Sequence, residues 1–101
     1  MSLRQLEEDL DTYTARRDEV AAFRAGLSHA QLVEHDNRSD QKLGEITQEL
    51  EENGKDMEVI DRSQLEQRQL DLIDFGRGGL SRIGGEILDI KTEILRAQNR
   101  R

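Results

Sequence analysis

Five of the chain's eight glycines fall within Gly76-Arg77-Gly78-Gly79-Leu80-Ser81-Arg82-Ile83-Gly84-Gly85, in a protein that has no proline. Glycines beside arginines are the material of a phosphate cradle, because backbone N–H groups reach an anion most closely where no Cβ intervenes. The spacing argues against the known cradles. No Gly-Lys-Ser/Thr follows, and Gly-x-Gly-Gly-x-x-x-x-Gly is not the dinucleotide pattern. What remains is a helix start whose amides, with Arg77 and Arg82, could meet an anion, or simply a turn. His29 and His35 lie six residues apart, which sets them on different faces of a helix and away from a shared metal. Asp36–Asp40 fails as a calcium loop, since Arg38 occupies a ligand position and no glycine takes the sixth place. The chain has no cysteine, so thiol chemistry, disulfides and the common zinc sets are absent. Glu7-Glu8 and Glu51-Glu52 read as solvated helix faces. Nothing here supports an enzyme, a cofactor or a metal.

Asp74-Phe75-Gly76 spells a tripeptide of protein kinases, but the glycine-rich loop, strand lysine and His-Arg-Asp loop that give it meaning are missing. It reads as coincidence. The single Arg-Gly-Gly lacks the interleaved aromatics of nucleic-acid segments, and the chain carries a net charge of −7. Direct binding to nucleic acid is therefore not expected.

The elements that carry these residues follow from composition and spacing. Charged residues make up 37% of the chain and there are only three aromatics, Tyr13, Phe23 and Phe75. Yet thirteen Leu, seven Ile, three Val and two Phe are too many for a disordered segment. Many charges, many aliphatics and no proline suit elongated helices whose thin core is completed by a partner or a second copy. The charge is uneven. Residues 1–75 hold 9 Lys/Arg and 19 Asp/Glu, whereas residues 76–101 hold 6 and 3, so an acidic body of −10 meets a basic end of +3. No apolar run reaches the ~18 residues of a membrane span. The charged start, MSLRQLEEDL, does not read as a signal peptide, so a cytoplasmic protein is expected.

The apolar spacing is helical throughout, with no alternating segment that would suggest a sheet. Ser2-x-x-Gln5 and Ser28-x-x-Gln31 are capping-box patterns, with Met1/Leu6 and Leu27/Leu32 in the staple positions. Gly26 between them marks a break or a kink. The polar run His35-Asp36-Asn37-Arg38-Ser39-Asp40 is rich in N-cap residue types and is the expected first hairpin turn. A second seam then runs Leu43, Ile46, Leu50, Asn53, Met57, Ile60. Because it keeps phase, Asn53 is read as a polar layer inside a continuous helix rather than as an Asn-Gly turn. The strongest seam is Leu80, Ile83, Ile87, Ile90, Ile94, Ala97, with Leu88 and Leu95 widening its face.

The expectation is a single all-α domain over 1–101, with helices near 2–34, 40–75 and 80–98 and turns near 35–39 and 76–79. Its form would be an elongated bundle or antiparallel coiled coil of two to three helices, completed by oligomerisation or a partner. The function expected is that of a non-enzymatic interaction, assembly or adaptor protein. Leu80, Ile83, Ile87, Ile90 and Ile94 would form its apolar interface or core, with Leu43, Ile46, Leu50 and Asn53 as further interaction residues. The rival expectation, from the acidic body, is an inhibitor that mimics nucleic acid in another protein's basic groove. Gly84 and Gly85 stay open: either the last helix starts near Glu86, or another backbone approaches them closely.

Overall fold

In the computed structural model, which describes residues 2–100, helices α1 (Leu3–Ala25), α2 (His29–Asn53), α3 (Val59–Phe75) and α4 (Gly79–Asn99) account for nearly the whole chain. There is no strand among the described residues. Helix α1 begins where the Ser2 hydroxyl accepts the Gln5 backbone N–H at 3.1 Å. The Gln5 side chain turns instead to Asp9, so this cap is not reciprocal. Met1, its expected staple partner for Leu6, lies outside the described residues. At α2 the capping box is complete: Ser28 Oγ accepts from Gln31 N–H at 3.2 Å and Gln31 Oε1 from Ser28 N–H at 2.9 Å. That start, following Gly26, ends α1 and turns the chain, so the break falls here rather than at 35–39.

The expected turn at His35–Asp40 does not exist; these residues lie inside α2. N-cap residue types disfavour a helix interior when their side chains compete for the local backbone. Here those side chains are engaged elsewhere. Asp36 holds Arg24 of α1, while Asn37 and Asp40 face Arg77. The second expectation to fail is continuity through Asn53. Helix α2 stops there, Gly54–Asp56 form one 3₁₀ turn, and α3 starts at Val59. Asn53 is exposed and Ile60 is 72% exposed, so neither is a layer in a seam. Asparagine and glycine are poor helix formers, and the break lets α3 fold back along α2. Between α3 and α4 the chain turns at Gly76–Gly78.

Packing pairs α1 with α4 and α2 with α3, each antiparallel. Leu6 lies by Ala97 at one end of the first pair, and Val20 by Ile83 at the other. In the second pair Gln69 donates to Thr47 at 3.0 Å. Helix α3 also touches α1 and α4, which joins the pairs at one corner. The dry core sits in the first pair: Val20, Ile83 and Ile87, backed by Leu10, Tyr13 and Phe75. The radius of gyration is 16.7 Å, against about 13 Å for a compact chain of this length. With extents of 48 × 41 × 15 Å the molecule is a slab no more than two helices deep.

Candidate functional site

Two features stand out: a charged corner where the pairs meet, and apolar side chains left on the outside. The corner is centred on Asp74, the penultimate residue of α3, whose carboxylate is almost wholly buried. It accepts from Arg16 Nε of α1 at 3.1 Å and from Arg82 Nε of α4, also at 3.1 Å. Arg16 additionally bridges to Asp71, and its guanidinium lies 4.8 Å from the centre of the Phe75 ring. Burial opposes the Arg16 charge, but the hydrogen bonds to Asp74 and Asp71 outweigh it and raise the pKa above its usual value. On the other side Phe23 stacks edge-on against Phe75 at 5.4 Å and against His35 at 5.0 Å.

Arg24 ties α1 to α2 and α3 together. Its two terminal nitrogens donate to the Asp36 carboxylate at 2.8 and 3.0 Å, and one also donates to the Phe75 carbonyl at 3.0 Å. This fork holds the Asp36 pKa down at about 2, against the opposing effect of burial and with help from His35. The same forked bond raises the Arg24 pKa.

The glycines have their explanation in this corner, with no positive φ involved. A Cβ on Gly79 would stand 1.8 Å from the Asp74 carbonyl oxygen, and one on Gly76 would stand 2.7 Å from that of Leu72. Only glycine lets α4 start so close to the end of α3. The candidate anion ligands Arg77 and Arg82 face Asn37 with Asp40, and Asp74, respectively. The corner thus directs its charges at one another. Among the described residues every buried side-chain nitrogen and oxygen has a partner, and no cluster of metal-ligating groups occurs.

The outside of the molecule is the opposite case. Among the described residues six hydrophobic side chains are buried, Leu6, Val20, Ile46, Ile83, Ile87 and Ile90. Eight large ones are exposed: Phe23, Val33, Val59, Ile60, Leu70, Leu80, Leu88 and Leu95. Of the expected interface or core residues, Ile83 and Ile87 pack with Val20 of α1, Ile90 is buried and Ile94 is half-buried. Of the two alternatives, interface or core, they occupy the core, and of that seam only Leu80 is exposed. Ile46, on α2, is buried, Leu43 and Leu50 are half-buried, and Asn53 is exposed. Leu88 and Leu95 do not widen the isoleucine face. Each follows an isoleucine by one residue, so it sits about 100° further round the helix, on the side turned from α1. They are 65% and 59% exposed. Helical angles alone would have revealed this; the corner ion pairs, 55 and 58 residues apart in sequence, had no such signal.

No family model, curated protein or solved structure matches this chain. No helix among the described residues is long and apolar enough to cross a membrane.

Proposed function

We propose that this chain is a non-enzymatic protein–protein interaction module, an assembly or adaptor element whose open helix pairs are completed by further helical surface. One observation carries the reading. The chain exposes 7364 Å², whereas a compact protein of 11.6 kDa exposes about 5,800 Å². The excess of roughly 1,500 Å² exceeds the ~800 Å² that each partner contributes to a standard interface. The eight exposed apolar side chains give that excess the right chemistry. Photo-crosslinking side chains placed at Leu88 and Ile60 should form adducts with protein in the native cytosol, while the same group at Glu7 and Glu51 should not. Equal labelling at all four positions, or none, would overturn the reading.

A second reading rests on a different surface. Glu45, Glu49, Glu51, Glu52, Asp56 and Glu58 are all exposed along the end of α2 and the turn after it. Such a strip suits a basic groove on another protein, as an inhibitor mimicking nucleic acid would require. Adducts at Glu51 that form at low salt but not at high salt, with none at Leu88, would favour it.

A further inference from the structure

We infer that the completing surface is a second copy of this chain, and that α4 pairs antiparallel with its own copy through Gly84, Gly85, Leu88, Thr92 and Leu95. This rests on the interaction reading above and names its partner. The face is unpartnered within the chain: Leu88, Thr92, Leu95 and Gly85 are exposed, and a Cβ on Gly84 or Gly85 would meet nothing within 4 Å. Two adjacent glycines weaken a helix interior relative to alanine, and no neighbour in the chain accounts for them. Close approach of another backbone does. Of the two explanations open from the sequence, the helix start near Glu86 is removed, since α4 begins at Gly79.

Charge selects the occupant. Residues 1–75 carry −10, so two copies meeting through α1, α2 or α3 bring like charges together. Helix α4 holds three acids (Glu86, Asp89, Glu93) and three bases (Arg82, Lys91, Arg96), and is the one neutral helix. Its flanks are also self-complementary. With Leu88 opposite Leu95 of the second copy, an antiparallel pair sets Asp89 by Arg96 of the copy, twice by symmetry. A parallel pair would set Lys91 by Arg96 instead. The antiparallel register brings Lys91 near its own copy, one like-charge meeting against two opposite ones, with stems long enough to diverge into solvent. Gly84 and Gly85 then face Gln98 and Asn99 of the copy, where backbones come together.

Light scattering and sedimentation equilibrium on the full chain test this. The expected mass is twice 11.6 kDa. L88E/L95E should give a single-chain mass with unchanged helicity, both side chains being mostly exposed in the single chain. R96D should weaken pairing about tenfold, and D89R/R96D should restore it. These two keep the inference testable should L88E/L95E fail to fold. A wild-type chain that stays monomeric up to its solubility limit overturns self-pairing, while adducts at Leu88 with a different protein would leave the interaction reading standing. A dimer that survives L88E/L95E, or a double reversal that restores nothing, overturns this face and register.

Discussion

The two helix pairs are built to different standards. The α1/α4 pair holds Val20, Ile83 and Ile87 in a dry cluster, with Leu6 and Ile90 buried beyond it. The α2/α3 pair buries one aliphatic, Ile46, and its far end displays Val59 and Ile60. Similar helix lengths thus conceal unequal cohesion. A fully buried aliphatic contributes about 1.5–3 kcal/mol, so the first pair has most of the hydrophobic stabilisation, while the second has half-buried aliphatics such as Leu43, Leu50 and Leu65, the Gln69–Thr47 bond and the corner. Proteins open locally where buried apolar contact is sparse. The α2/α3 end should therefore be the first part of the chain to open.

The largest effect tests that inequality directly. Ile83→Ala should cost about 2–5 kcal/mol in urea denaturation, because it leaves a cavity among Val20, Ile87 and their neighbours. Ile60→Ala, on a residue 72% exposed, should change stability by no more than about 0.5 kcal/mol. If the two variants lost similar stability, Ile60 would be covered in solution, and the difference between the pairs would be an effect of partnership rather than of sequence.

A smaller effect probes how the pairs are joined. The Asp36 carboxyl, forked to Arg24, has its pKa held down to about 2, against the ordinary 3.8 when free. Its folded pKa is depressed, so its contribution is complete above pH 3.8 and is lost as pH falls through that value toward 2. The full contribution is on the order of 2 kcal/mol, since one pKa unit corresponds to about 1.4 kcal/mol. Asp36→Asn should remove that part of the acid dependence. In the wild type, hydrogen exchange in acid should show α2 losing protection before α4. Simultaneous loss in both would mean that the corner couples the pairs into one cooperative unit.

How much of this was readable in the sequence depends on the range of the interaction. Isoleucines 83, 87, 90 and 94 declare a helix face through spacing alone, and the Ser28 cap with Gln31 is written in four residues. The Asp36-to-Asp40 run misleads because its local meaning, a turn, is overridden by Arg24 and Arg77, which arrive from elsewhere in the chain. Asp74-Phe75-Gly76 looks accidental for the same reason. Its carboxylate, ring and glycine each have a distant partner or a tight steric role that no short window contains. Asn53-Gly54 is the reverse case: the local turn signal prevailed over a seam that merely stayed in phase.

The smallest effect is the most discriminating, because its sign is at stake. Gly84→Ala adds a methyl group where the single chain offers open space. By helix propensity alone it should stabilise the chain by about 1 kcal/mol, and nothing inside the molecule opposes that gain. In an antiparallel α4 pair the same methyl group stands between two backbones and forces them apart. Thermal unfolding measured across a dilution series separates the two contributions. At low concentration, where copies are apart, Gly84→Ala should melt above the wild type. At high concentration it should melt below, as the pairing that stabilises the wild type is lost. A variant that melts higher at every concentration would mean that α4 has no close neighbour, and that Gly84 carries a helix penalty without a structural return.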